Sequence, residues 1–196
     1  MRVPYAPSEP PNEESRPIYE RIAERRKPRP LIPLDLALLH NPSVADGWNS
    51  FIGAIRTKTS VPEGLKELAI SRVAVLNKAV HEWDIHAALA LKAGVSKDTL
   101  QAVFDSPVNG RGWKRNDWGT GVLGDKEKAV LVYTDQMTIG VEVEDETAEA
   151  LKGFLDDKQV VELTATIAAY NAVSRFLVAL DVGECNGREM KKVEEL

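Results

Sequence analysis

The sequence predicts an all-α domain, and three observations carry the prediction. From Leu34 onward apolar residues recur every three to four positions, helix entry and exit signals punctuate that pattern at helical lengths, and no stretch shows the two-residue alternation of a half-buried strand. At 196 residues, 43% hydrophobic and 28% charged, the chain can bury one substantial core, so a single domain with flanking segments is expected.

Eight of the eleven prolines precede residue 34, which marks 1–33 as a proline-rich arm and helix. Residues 1–11 read as an extended, polyproline-like arm, either laid across another subunit or solvated. Helical spacing of Ile18, Ile22 and Ala23 follows over 15–27, until Pro28-Arg29-Pro30 breaks it. The main domain is expected over 34–183. A short helix, 35–39, ends at Asn41-Pro42, and His40 reads as a C-terminal residue meeting the helix dipole. Ser43 is a candidate cap for the next helix, whose core face is read as Val44, Trp48, Phe51, Ile52 and Ile55.

Ser60-Val61-Pro62-Glu63 has the hydroxyl, proline and carboxylate of a helix entry, and that helix should reach Asn77. A second runs from Val80 to Ala93 and stops at Gly94; Ser96 starts a third, ending at Phe104. Residues 106–124 form one long irregular stretch with five glycines, in which Trp113 and Trp118 could act as a lid over a small substrate or simply pin the loop. Helices over 127–138, 145–155 and 158–181 complete the domain, and 184–196 is a charged tail. Glu67-Leu68-Ala69 and Glu162-Leu163-Thr164, each opening an apolar helix, hint at two helical halves.

Composition removes several functions. The net charge is −5, with Lys and Arg dispersed among acids, so no nucleic-acid partner is expected. The lone Cys185 permits no intrachain disulfide and suits a reducing compartment; with no apolar signal region near Met1, a cytoplasmic location follows. The apolar run from Val160 to Leu180 holds Glu162, Asn171 and Arg175, which reads as a core helix rather than a membrane span.

Candidate chemistry centres on the helix from Val80. Glu82 and His86 are four residues apart, on one face of a helix that is apolar nearly all round through Trp83, Ile85, Ala87, Leu89 and Leu91. Such a pair either handles protons or only satisfies itself inside the core. Glu67 on the preceding helix is a third candidate. His81 and His86 stand five apart, so they do not share the face a zinc-protease helix needs, and no metal is expected. In the last long helix Asn171 and Arg175 share a face. A buried Arg175 could clamp a substrate carboxylate or pair with an internal acid.

The run from Glu67 to Ala74, then His81-Glu82-Trp83-Asp84-Ile85-His86 and Ala93-Gly94-Val95-Ser96, closely resembles the carboxymuconolactone decarboxylase and AhpD-like family. Flanking landmarks are Leu38-Leu39-His40-Asn41-Pro42 with Gly47-Trp48, and Val161-Glu162-Leu163 with Tyr170-Asn171. The resemblance implies an AhpD-like multi-helix fold that assembles as trimers or hexamers, with a pocket near or between subunits. Peroxidase-type members use a glutamate, a Cys-x-x-Cys pair and a histidine. The glutamate falls on Glu67 and the histidine on His86, but Ala79 and Glu82 occupy the cysteine positions, so no thiol peroxidase activity is expected.

Decarboxylase-type members imply acid–base chemistry in the same pocket, without metal or organic cofactor. On that reading His86, Glu82 and Glu67 carry catalysis, and Arg72, Trp83, Asn171 and Arg175 contact a small carboxylated lactone or conjugated acid. The alternative is a non-catalytic oligomeric binding protein in which the same polar group holds the core.

Overall fold

The computed structural model describes residues 1–106 and 121–196. Trp113, Trp118 and most of the expected loop lie outside the described residues. Among those described there are helices and no strand: α1 (Arg16–Arg26), α2 (Pro33–Leu38), α3 (Pro42–Thr57), α4 (Glu63–Leu76), α5 (Val80–Lys92), α6 (Lys97–Asp105), α7 (Asp125–Asp135), α8 (Asp145–Lys152) and α9 (Asp157–Leu180). A π-helical turn, Gln136–Gly140, extends α7, and a 3-10 turn, Val193–Glu195, lies in the tail.

The centre is α4, which packs against α5, α7 and α9. Helix α4 is buried nearly all round, so its polar residues Lys66, Glu67, Ser71 and Arg72 go inside with Leu68, Ile70 and Val73. Small residues let α5 lie close along it, with Ala74, Ala79, Ala87 and Ala90 sharing one apolar cluster with Leu68 and Trp83. Helix α9 is long and apolar enough to cross a membrane, yet Leu163, Ile167, Tyr170, Val173 and Leu177 are buried against α3 and α4 in the main core. That is the packing of a core helix.

Three entry signals resolve differently from the sequence reading. Helix α3 is capped by Asn41, whose side chain accepts from the Val44 N–H at 3.3 Å, rather than by Ser43. Pro42 then occupies the first turn, where its missing N–H is harmless. The buried face of α3 is turned toward Ala45, Asn49 and Ile55, leaving Val44 and Phe51 about half exposed. Ser60 does not cap α4. Its N–H and hydroxyl both donate to Glu162 on α9, at 2.6 and 2.9 Å, tying two core helices at one end. Glu162 therefore does a different job from Glu67, despite the similar local sequence.

The arm lies on its own chain. Arg2 N–H donates to Leu180 O, Ala6 N–H to Leu36 O, and the His40 ring to Pro4 O at 2.7 Å. Tyr5 accepts from Gly183 N–H. Arg26 grips Asp35 with two bonds of 2.7 Å, which closes the turn between α1 and α2, both of which pack on α3.

Candidate functional site

Glu67, on α4, is wholly buried, and its carboxylate is held from two sides. The His86 Nδ1 lies 2.7 Å from one oxygen, and the guanidinium of Arg56, in the last turn of α3, donates to the other. Arg56 also faces Glu63 at 3.6 Å. Tyr170 of α9 meets the His86 ring edge-on, with centroids 4.7 Å apart. Four helices thus converge on one imidazole.

Charge follows from these contacts. Burial opposes ionisation of Glu67, but the bonds from His86 and Arg56 outweigh it and hold the carboxyl below the usual carboxylate range. Burial drives the His86 pKa down against the pull of Glu67, so the ring is neutral near pH 7. Its Nδ1–H then donates to Glu67, leaving Nε2 as a free base with no protein partner among the described residues.

Glu82 stands one turn earlier on α5 and is in the opposite condition. It is 2% exposed, and neither carboxyl oxygen has a hydrogen bond. Burial alone lifts its pKa well above the ordinary value, so Glu82 keeps its proton to higher pH than an ordinary carboxyl does. The pairing of Glu82 with His86 expected from their spacing does not form; His86 turns instead to Glu67.

His86 and Glu82 line a cavity of about 410 Å³, a volume suited to a small organic molecule. One flank is apolar, with Trp48 and Ile52 of α3 facing Ile85 and Leu89 of α5. The buried end also carries Arg56, His81 and Tyr170. Toward solvent the wall comes from α1 and the turn after it: Arg25, Arg26, Arg29, Ile32 and Leu34.

The residues expected to contact substrate lie elsewhere; none of the four lines this cavity. Arg72 is fully buried, bonded to Asp135 at 2.6 and 2.9 Å and to the carbonyls of Val103 and Ser106. It clamps α4 to α6 and α7. Trp83 is buried in the second apolar cluster, with its indole N–H on Lys191 O at 2.8 Å. Asn171 bonds to Thr138 and accepts from Asn77. Arg175 is exposed rather than buried, and donates to Asn171 and to Thr138 O.

Sequence reasoning missed Arg56, Arg25, Arg29, Trp48 and Tyr170. Arg56 did leave a trace, because Trp48, Ile52 and Arg56 fall four apart and put a cation at the end of an apolar stripe.

Residues 42–123 match the model of the carboxymuconolactone decarboxylase family. No curated protein matches the sequence at a significant level. Among solved structures, the chain is similar to a protein of unknown function from Agrobacterium tumefaciens ascribed to AhpD-type antioxidant defence. Identity is 19%, over 73% of this chain and 91% of that one, with a TM-score of 0.59. It is also similar to the debrominase Bmp8. A cysteine-to-alanine form of Bmp8 in complex with 2,3,4-tribromopyrrole is 15% identical, over 95% of this chain and 92% of that one, with a TM-score of 0.66. The apo form is 14% identical, over 93% and 89%, with the same TM-score. At such identities the likeness is one of fold. Residues 42–123 are thus similar to the carboxymuconolactone decarboxylase family, and the chain as a whole shares the AhpD-like fold.

Proposed function

We propose that the protein is a cofactor-free acid–base enzyme, a carboxy-lyase or proton-transfer isomerase acting on a small carboxylated lactone or conjugated acid. The observation that supports it is the contrast between two buried glutamates. Glu67 is held as a carboxylate and bonded to His86, whereas Glu82, one turn before His86 in the cavity wall, is unpartnered and its protonated form is favoured by burial. A purely structural role suits the Glu67, His86 and Arg56 set, which satisfies itself. It does not suit Glu82, because a carboxyl buried without a partner weakens a core.

In a decarboxylation the bond from carbon to carboxylate breaks, CO₂ leaves, and the electron pair passes into a conjugated carbonyl as a dienolate. A proton must then reach carbon. Glu82 supplies that proton to His86 Nε2, the imidazolium so formed is stabilised by Glu67 and delivers the proton to carbon, and the Glu82 carboxylate is then reprotonated from solvent. The debrominase neighbour takes a substituted pyrrole, a planar ring, and the flank formed by Trp48 and Leu89 suits a ring of that size. We further place the chain in the cytoplasm as a homotrimer or hexamer, which light scattering of the purified protein reads directly.

The test is CO₂ release and solvent deuterium uptake across a panel of lactone acids. Against any acid turned over by the parent, His86→Gln and Glu82→Gln should each lower the rate about 10²- to 10⁴-fold. Parent-like rates in both variants sink the assignment.

A further inference from the structure

The buried end of the cavity holds the titrating groups, and the exposed end holds charge with nothing to neutralise it. Arg26 is matched by Asp35, and Arg56 by Glu67. Arg25 and Arg29, both exposed and both lining the cavity, have no carboxylate within ion-pair distance among the described residues. The Arg25 guanidinium donates to the side-chain oxygen of Asn49, a neutral partner. In a chain of net charge −5, two unmatched guanidiniums at one cavity mouth form a local field of opposite sign to the whole. They are not loosely attached. The clamp of Arg26 on Asp35 fixes the turn that bears Arg29, and α1 is seated on α3, which supplies Trp48 and Ile52.

Arg25, Arg26, Arg29 and Asp35 all lie ahead of residues 42–123, the stretch that matches the family model. We infer that residues 16–34 are a substrate-recognition element, in which Arg25 and Arg29 bind a carboxylate of an organic acid whose apolar body lies between Trp48, Ile52, Ile85 and Leu89. Guanidinium forks suit a carboxylate, and the four apolar side chains suit a ring or short conjugated chain. This inference rests on the proposed function for the identity of the reacting end. A carboxylate held at the mouth cannot be the one lost at the buried end, so the preferred substrate carries an acid group that survives the reaction.

The experiment is calorimetric titration with cinnamate, its neutral counterpart cinnamamide, and inorganic phosphate. Wild type, Arg25→Met, Arg29→Met, the double variant and His86→Gln are compared, each checked for helix content. Cinnamate should bind wild type at least about 10-fold more tightly than cinnamamide. Each arginine variant should lose about 10-fold for cinnamate and none for cinnamamide, and the double variant should bind both alike. The preference should also shrink with added salt in wild type and be salt-insensitive in the double variant. Equal binding of acid and amide to wild type, arginine variants that keep wild-type affinity for cinnamate, or no measurable binding of cinnamate overturns the recognition element. Phosphate binding as tightly as cinnamate overturns the apolar half of the assignment. His86→Gln should keep its cinnamate affinity within about two-fold while losing turnover. Failure of recognition therefore appears in binding, and failure of the acid–base reading appears in rate.

Discussion

Replacing Glu82 by methionine should make the protein more stable and less active. The carboxyl is buried with no hydrogen bond to either oxygen, so the folded state bears its desolvation without compensation. Removing such a group recovers about 1–3 kcal/mol. Methionine has a similar volume and a flexible chain, so repacking should cost under about 1.5 kcal/mol. The net gain is about 1 kcal/mol, which at this chain length raises Tm by roughly 2–4 °C. A pH signature accompanies it. Unfolded Glu82 ionises near the ordinary value of 4.5, whereas the folded residue keeps its proton to higher pH. Folding therefore takes up a proton between those two values, and the contribution of Glu82 to stability falls as pH rises across that window. Thermal melts at pH 4 and pH 8 should show a widening advantage for Glu82→Met at the higher pH. A lower Tm for Glu82→Met at both pH values would mean that the carboxyl is satisfied, and would refute this account of it.

Three other perturbations separate structural from chemical roles. Arg56→Met removes the cation that helps keep His86 neutral and leaves Glu67 facing the ring alone, so the His86 titration followed by NMR should move to higher pH; an unmoved or lower midpoint contradicts the geometry. In wild type both His86 and Glu67 have lowered pKa values, so their stabilisation is present above the unfolded values and is lost as pH falls through the folded ones. The Tm advantage of wild type over His86→Gln should accordingly shrink from pH 6.5 toward pH 5, since the slope due to Glu82 is common to both. Arg72→Met strands the buried Asp135 and should cost about 3–5 kcal/mol, lowering Tm by roughly 10 °C or more, while cinnamate affinity stays within about two-fold.

The fold was legible because helical period survives burial. A core helix such as α9 keeps its length and its capping pair, with Asp156 and Gln159 bonded reciprocally, whatever it packs against. Glu67, Glu82 and His86 were legible as a set because two of them share one helix and the third lies on the helix before it. Their pairing was not. Spacing along α5 favours a bond between Glu82 and His86, but tertiary packing offers His86 a charged Glu67 already held by Arg56, and a charge-assisted bond outweighs a local one. Arg72 and Arg175 were misplaced for a related reason. An arginine on an apolar helix faces either a partner acid or solvent, and Asp135, which decides the matter for Arg72, lies 63 residues away.

The substitution at position 82 changes what the cavity can do more than it changes the cavity. A thiol there would react through its thiolate, and burial without a cationic partner disfavours that form. A carboxyl in the same place is disfavoured as its anion too, but its neutral form is itself the useful species, an acid able to release a proton when negative charge develops nearby. The features that would make position 82 a poor site for sulfur chemistry are therefore those that make Glu82 an effective proton donor. Arg56 stays on the far side of Glu67, bonded to the carboxylate oxygen that His86 does not use. This arrangement keeps positive charge matched at the buried end and, among the described residues lining the cavity, leaves the guanidiniums of Arg25 and Arg29 without an ion pair. Under the proposed function an acidic ligand would be drawn in with its anionic group toward solvent and its reacting carbon toward His86, the orientation that proton transfer requires.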